Sequence, residues 1–265
     1  MRKLKVAAVA MGVTIAALLV VAPYIYGVQN VAGTKHNLAA SGGQSIRALT
    51  VDDVCVFCHT PHRSLTAGPL WNHTLSPRSS YSLYSSGTLL SPLPPGNMPD
   101  GDSLLCLSCH DGDRPVGAVQ NIGGQQTTIS MVGANLTADG RLIGPNAFTG
   151  GNLSGHHPIS IEINQCLVDD KASLLNVTTG CGNPLVSWKV LIPIGVDAIM
   201  MRKTNNRYPA GSGNTCSKGT TGKGVQCSSC HDAHSTNAKF LRKGAVGAWS
   251  TTYTDALCIA CHIHC

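Results

Sequence analysis

One five-residue pattern, Cys-x-x-Cys-His, occurs four times and carries the chemistry that this sequence can perform. The four copies are Cys55, Cys58 and His59; Cys106, Cys109 and His110; Cys227, Cys230 and His231; and Cys258, Cys261 and His262. Two thiols at this spacing can add across the vinyl groups of a haem, and the adjacent imidazole then lies under the ring, where it can ligate the iron. The pattern therefore predicts four covalently bound haem c groups, each with a proximal histidine.

Zinc knuckles and redox dithiols also use Cys-x-x-Cys pairs, and they are the alternative interpretation of this pattern. The chain has 11 histidines among 265 residues. If positions were independent, histidine would follow all four pairs with odds on the order of a few in a million. The sequence therefore favours haem attachment.

The first 27 residues have the character of a secretory signal peptide. Arg2, Lys3 and Lys5 precede 17 mostly apolar residues at positions 6–22. This run lies at the short limit for a membrane span, which needs about 17–25 residues. We expect cleavage near Gly27 and no stable membrane span afterwards, with an uncleaved anchor as the alternative. The mature chain would be secreted to the cell surface or the extracellular space, or alternatively retained in the periplasm.

The formal net charge of +6 overstates the charge of a mature, haem-loaded chain. Removing Arg2, Lys3 and Lys5 with the signal segment leaves +3. Four ferric haems, each contributing about −1 through its propionates, would bring the protein to about −1. The composition therefore gives no support to nucleic-acid binding.

The motifs form two close pairs that are separated by a long insert. The first two motifs begin 51 residues apart and the last two 31 apart, whereas 121 residues separate the second from the third. We therefore expect one tetrahaem domain over residues 28–265, with a haem pair at 50–112, a glycine-rich insert at 113–222 and a second haem pair at 223–265.

Regular secondary structure is expected to be sparse and the chain mostly irregular. Only 5% of the residues are aromatic, so a core made of peptide alone would be thin and the haem-free chain largely unfolded. Short helical turns are predicted at 103–110, 224–231 and 254–262. A few short β-strands are predicted in the insert, at 126–132, 157–163 and 186–195. The predicted class is a multihaem c-type cytochrome fold.

Seven further histidines compete for the opposite axial positions of the four irons. His62 and His234 each follow a motif histidine by three residues, so each can project toward a neighbouring haem. His157 precedes Pro158, which favours an extended backbone that presents the side chain outward. The other candidates are His36, His73, His156 and His264. Methionine ligation, which would raise the potential of that haem, is the alternative, from Met98, Met131, Met200 or Met201.

Four cysteines lie outside the motifs: Cys166, Cys181, Cys216 and Cys265. Exported proteins rarely leave such an even set free, so we expect disulfides. A Cys166–Cys181 bridge would close a loop of about 15 residues and contribute on the order of 3 kcal/mol. The other pairings, and free thiols, remain alternatives.

Several segments resemble the doubled CxxCH multihaem cytochromes of metal-reducing bacteria. They are VCVFCHTPH at 54–62, PLWNH at 69–73, LLCLSCHDG at 104–112, HPIS at 157–160, VQCSSCHDAH at 225–234 and FLR at 240–242. The likeness is greatest to the outer-surface tetrahaem cytochromes that polymerise into filaments. It covers both haem pairs, about half of the mature chain, but neither 116–152 nor 171–221.

This resemblance implies that every haem has two histidine ligands, one of which can come from a neighbouring subunit. His62, His157 and His234 fall on histidines of the family's motifs, and His36 is similar to a histidine that the family carries ahead of the first haem. Ala233 stands where the family often has proline, which leaves the ligand intact. The predicted iron ligands are therefore His59, His110, His231, His262, His36, His62, His157 and His234.

These features predict a secreted tetrahaem electron carrier with no catalytic step. It would pass electrons between closely packed haems toward extracellular acceptors, with other redox proteins as partners and, as the resemblance implies, a homopolymer or homo-oligomer as its assembled form. One alternative is a multihaem reductase of nitrogen or sulfur oxyanions, which requires an open iron position. Another is a structural or sensing protein that uses the insert to bind a partner.

Overall fold

A computed structural model describes residues 30–68, 70–87, 89, 91–163, 202–203 and 223–242. The predicted signal peptide, the fourth motif with Cys258, Cys261 and His262, and the four cysteines outside the motifs all lie outside the described residues. So do the predicted strand at 186–195, the predicted helical turn at 254–262, and His264, Met200 and Met201. Within the described residues, no helix has both the length and the apolar composition needed to cross a bilayer.

The described chain consists of short elements joined by turns, which confirms the prediction of sparse secondary structure. The α-helices are α1 (Gly101–His110) and α2 (Cys227–Cys230). The strands are β1 (Arg47–Ala48), β2 (Ser82–Leu83), β3 (Ala118–Ile122), β4 (Gln125–Thr128), β5 (Met131–Val132), β6 (Asn152–Leu153), β7 (Ile161–Glu162), β8 (Arg202–Lys203) and β9 (Lys223–Val225). Single 3-10 turns occur at Val31–Gly33, Ala40–Gly42, Pro95–Asn97, Thr149–Gly151 and Ala238–Phe240.

Both described helices carry a motif, as predicted at 103–110 and 224–231. Asp102 lies in the first turn of α1, where its negative charge interacts favourably with the helix dipole. Helix α1 ends at His110, and Gly112 then adopts a φ of +74°. Glycine tolerates this left-handed conformation after a helix end without the steric penalty that other residues incur. The motif imidazole therefore lies at the helix end.

The strands pair across the chain in small sheets. β3 and β4 form a hairpin through Gly123 and Gly124, both with positive φ, as a two-residue turn between twisted strands requires. β1 pairs antiparallel with β5, β2 pairs parallel with β6, and β9 lies between β7 and β8. The predicted strand at 126–132 is thus divided between β4 and β5, and the prediction at 157–163 is shorter in the structure, as β7.

The apolar interior is small and is built partly from the motifs themselves. The side chains of Val56 and Phe57, inside the first motif, pack in a buried cluster with Val119 and Ile129 of the insert. Leu107, inside the second motif, is fully buried in a separate cluster with Tyr81 and Leu153. The residues between the motif cysteines therefore anchor the motifs to the peptide core.

We expect Gly117→Ala to destabilise the haem-loaded protein by about 2 kcal/mol, because overpacking forces the backbone to shift. A Cβ at Gly117 would lie 2.0 Å from the carbonyl oxygen of Ile129, whose N–H donates to the Gly117 carbonyl at 2.8 Å. Denaturant unfolding, followed by the Soret band, measures the change. Gly87→Ala is the matched control, since a Cβ there meets nothing within 4 Å. Equal midpoints for the two variants would contradict the expectation.

Candidate haem-ligand site

The second and third motifs lie side by side although 121 residues separate them in the chain. The N–H of Cys227 donates to Ser103 Oγ at 3.0 Å, and Ser228 Oγ donates to Asp102 Oδ2 at 2.5 Å. Cys106 and Cys227 are themselves within hydrogen-bonding distance through their sulfur atoms. The insert therefore does not hold the second and third motifs apart in space, because the third motif folds back onto the second.

Gln226, directly before α2, holds this contact from inside the protein. Its side chain is fully buried. Its Oε1 accepts hydrogen bonds from the Ser103 N–H at 3.2 Å and from Ser160 Oγ at 3.2 Å, and its Nε2 donates to Asp100 Oδ1 at 2.8 Å. A buried amide satisfied at both ends fixes its neighbours in place, because an unpaired polar group there would be costly. Sequence reasoning did not single out Gln226.

Two pairs of imidazole rings face each other at the spacing of two ligands on one iron. The ring centroids of His59 and His234 are 6.2 Å apart, and those of His36 and His110 are also 6.2 Å apart. Imidazole nitrogens bind metals at about 2 Å and lie about 1 Å from the ring centre, so two rings across one metal should be about 6 Å apart. The residues present therefore fit haem iron between each pair.

The ring nitrogens of four histidines are arranged for metal ligation through Nε2. Nδ1–H donates to a backbone carbonyl in His36, His110 and His231, at 3.3, 2.8 and 2.9 Å. In His234 it donates to Asp232 Oδ1 at 3.3 Å. Ligating histidines generally donate their other ring N–H in this way, which fixes the tautomer. The Nε2 atoms of these four rings have no hydrogen-bond partner among the described residues.

The histidines of one facing pair are held neutral by their surroundings. Burial lowers the pKa of His36 to about 4, and the nearby His110 adds to this effect, while the hydrogen bond to Ala233 opposes it. Burial also lowers the pKa of His110. Both rings are therefore unprotonated at neutral pH and need lose no proton before they bind a metal.

Burial holds two of the motif thiols, Cys58 and Cys109, in the protonated state. Burial, together with the neighbouring Cys109 and Cys55, raises the pKa of Cys58 to about 12, and burial raises that of Cys109 to about 12. A reactive dithiol needs a lowered thiol pKa, so this environment disfavours a redox role for Cys58 and Cys109. In the third motif the hydrogen bond with Cys106 instead lowers the pKa of Cys227. None of the six cysteines at 55, 58, 106, 109, 227 and 230 forms a disulfide, and the described residues contain no group of three or more side chains arranged to hold a bare metal ion.

Aromatic side chains surround the facing imidazoles. Phe240 stacks on His36 with ring centroids 4.2 Å apart, and Phe148 lies 6.3 Å from the His110 ring. Trp71 meets the His59 ring edge-on at 6.1 Å. Trp71 and Phe240 occur in the PLWNH and FLR segments, which sequence comparison noted without assigning them a role. These rings supply apolar walls close to the ligand positions.

His73, a distal candidate in the sequence, is a structural residue in the fold. It is fully buried, with Nδ1 2.9 Å from the Thr74 carbonyl oxygen and Nε2 3.1 Å from that of Pro115. Both ring nitrogens are therefore engaged by the backbone, which favours a structural role for His73 over iron ligation. Two methionine candidates, Met98 and Met131, pack against the apolar clusters instead.

The remaining described candidates lie on the surface. His62 and His157 are exposed, and Nδ1–H of His157 donates to the Pro158 carbonyl at 2.8 Å. The ring of His156 contacts Phe148, with centroids 4.7 Å apart. The structure thus brings His36 and His234 opposite motif histidines, whereas ligation by His62 and His157 stays a prediction.

Residues 220–264 match the family model described as a doubled CXXCH motif. The match spans the third and fourth motifs together with His234. No curated protein matches the chain. The family match supports a multihaem c-type cytochrome that binds haem covalently and transfers electrons.

Proposed function

We propose that this multihaem c-type cytochrome is a secreted tetrahaem electron carrier in which histidine occupies both axial positions of every iron. The observation that carries the proposal is the 6.2 Å spacing of two imidazole pairs, His59 with His234 and His36 with His110. Each pair combines a motif histidine with one from a distant part of the chain. The same arrangement is proposed for the haems of the third and fourth motifs, with His62 and His157 as their distal ligands.

Haem, when bound, supplies a one-electron iron couple. The protein's own part is to fix that group and to close it off. Thiol pairs such as Cys106 and Cys109 would hold it covalently, and facing imidazoles such as His36 and His110 would ligate its iron. With both positions filled, no substrate can bind the iron, so electron transfer is favoured over catalysis.

The thiol positions support close packing of neighbouring haems. Cys106 of the second motif contacts Cys227 of the third through sulfur. The other thiol of the second motif, Cys109, is near enough to Cys58 of the first to raise its pKa electrostatically. The second motif is thus adjacent to both others, which supports a continuous route for electrons through the three described motifs.

We further propose that the protein works outside the cytoplasm as a homo-oligomer or filament and passes electrons from other redox proteins to extracellular acceptors. The signal-like N-terminus and the resemblance to filament-forming cytochromes support this proposal. The exposure of His62 and His157 also supports it, since an exposed imidazole can reach an iron in its own chain or in a neighbouring subunit. Light scattering and electron microscopy of native material test the assembly, and finding only monomers would contradict it.

The haem content and ligation are tested on the purified, haem-loaded protein. We expect four haems per chain from the pyridine haemochrome spectrum, matching the four motifs, wholly low-spin ferric iron, and no carbon monoxide binding after reduction. Cys258→Ala with Cys261→Ala should lower the count to three, which assigns one haem to the motif outside the described residues. Fewer than four haems in the unaltered protein would contradict the proposal, and carbon monoxide uptake would favour the reductase alternative.

A further inference from the structure

The two facing imidazole pairs differ in the groups behind their rings. Both His36 and His110 donate Nδ1–H to neutral backbone carbonyls. His234 donates instead to the carboxylate of Asp232, whose Oδ1 also accepts the backbone N–H of His234 at 3.0 Å. Among these three rings, only that of His234 donates its Nδ1–H to a negatively charged group.

Asp232 is held in this position by Arg242. The guanidinium donates from Nη1 to Asp232 Oδ2 at 3.1 Å, and the two side chains are 15% and 12% exposed. The backbone N–H of Arg242 donates to the Cys230 carbonyl at 2.9 Å, and its Nε donates to the Ser228 carbonyl at 2.5 Å. The carboxylate is therefore fixed to the third motif and partly shielded from water, which strengthens its electrostatic effect.

Asp111 occupies the equivalent position after the second motif, but its carboxylate is used differently. Its Oδ2 accepts the Tyr81 hydroxyl at 2.8 Å and its Oδ1 accepts the Asp113 N–H at 2.9 Å. His110 turns its Nδ1 to the Asn146 carbonyl. The second and third motifs share the sequence Cys-His-Asp, but only the aspartate of the third motif, Asp232, accepts the ring N–H of a facing histidine.

The facing rings also differ in their mutual orientation. The planes of His59 and His234 are 12° apart, whereas those of His36 and His110 are 73° apart. Parallel imidazole planes split the two iron d orbitals that interact with the rings, which stabilises low-spin ferric iron. Perpendicular planes leave these orbitals nearly equal in energy. The parallel rings and the Asp232 carboxylate would therefore both stabilise ferric iron between His59 and His234.

We propose that Asp232 is a positioning residue which, through His234, lowers the reduction potential of the haem held by His59 and His234 below that of the haem held by His36 and His110. A carboxylate that accepts the ring N–H makes the imidazole a stronger donor and so stabilises ferric iron. Electrons would then pass favourably from the first of these haems to the second. This inference rests on the proposed histidine ligation.

Asp232→Asn tests this by potentiometric titration of the haem-loaded protein, followed by electron paramagnetic resonance. The parallel pair should give a rhombic low-spin signal and the perpendicular pair a more anisotropic one, and each signal is assigned by its loss in His234→Ala or His36→Ala. At the original midpoint potential, the ferrous-to-ferric ratio of the His59–His234 haem should rise about tenfold, equivalent to about 59 mV for one electron. The His36–His110 haem should not change.

Arg242→Gln provides a second variant with the opposite sign. Removing the cation leaves the Asp232 charge unbalanced, so the same haem should become harder to reduce. Asp139→Asn is the matched control, because Asp139 forms an exposed ion pair with Arg141 at 2.6 Å and contacts none of the facing histidines. All three variants should retain their haem count and low-spin spectra.

Unchanged potentials in both Asp232→Asn and Arg242→Gln, or equal shifts of both haems, would overturn the inference. If Asp232→Asn loses the low-spin signal altogether, the sign of the Arg242→Gln shift decides. Failure of the proposed function would give a different result, because the unaltered protein itself would then lack haems or bind carbon monoxide. Four low-spin haems with potentials indifferent to Asp232 would leave that function standing and refute only this inference.

Discussion

Replacing His36 with alanine should open one iron of the haem-loaded protein. His36 faces His110 at 6.2 Å and stacks on Phe240, and alanine cannot ligate iron. We expect one of the low-spin ferric signals to be replaced by a high-spin signal, and one haem per chain to bind carbon monoxide after reduction. Spectroscopic titration with carbon monoxide counts the open sites directly.

His156→Ala is the control for this variant. His156 is exposed and contacts Phe148, so its loss removes an imidazole near the same pair without removing a facing ring. It should leave all the iron low-spin and closed to carbon monoxide. If His36→Ala also remains entirely low-spin, His36 is a packing residue and another side chain ligates that iron.

Replacing Asn72 with alanine should lower the free energy of unfolding by about 3 kcal/mol, because it would leave several buried polar groups unpaired. Asn72 is fully buried. Its Nδ2 donates to the Val56 carbonyl at 2.5 Å and to the Asn121 carbonyl at 3.0 Å, and its Oδ1 accepts the Asn121 N–H at 2.8 Å. One side chain thus ties the first motif to strand β3.

Denaturant unfolding of the ferric protein, followed by the Soret band, measures this effect. Asn152→Ala is the control, since the side chain of Asn152 is exposed and its Oδ1 accepts hydrogen bonds only from the nearby Ser154 among the described residues. Asn152→Ala should change the free energy of unfolding by no more than about 0.5 kcal/mol. A similarly small loss for Asn72→Ala would show that the tie contributes little once haem is bound.

The helices and strands show which elements can be predicted from local sequence and which cannot. The helical turn at the second motif was predicted, and the structure adds the local signals that bound it, Asp102 in the first turn and Gly112 after the end. β3 was missed. One edge of β3 pairs with the adjacent β4, and on the other edge the Gln120 N–H donates to the Asn72 carbonyl oxygen at 2.6 Å. The strand is therefore held partly by a partner 48 residues earlier in the chain and not by an alternating pattern of its own.

Local sequence also does not predict which histidine lies opposite a motif histidine. His36 and His73 had similar standing as candidates from sequence alone, and the family resemblance raised the standing of His36. In the fold, His36 faces His110, whereas backbone carbonyls engage both ring nitrogens of His73. The difference depends on distant segments, because the His110 ring lies opposite His36 and the Pro115 carbonyl engages Nε2 of His73.

The sequence by itself determined where haem attaches, since thiol spacing and the adjacent imidazole are features of five consecutive residues and need no tertiary contact to be recognised. Only the tertiary structure decided which imidazoles face each other and which carboxylate lies behind His234. His59 meets His234, and Cys106 meets Cys227, through packing of segments more than 100 residues apart. Such contacts are fixed by burial and hydrogen bonding across the whole chain, and these leave no periodic mark on the local sequence.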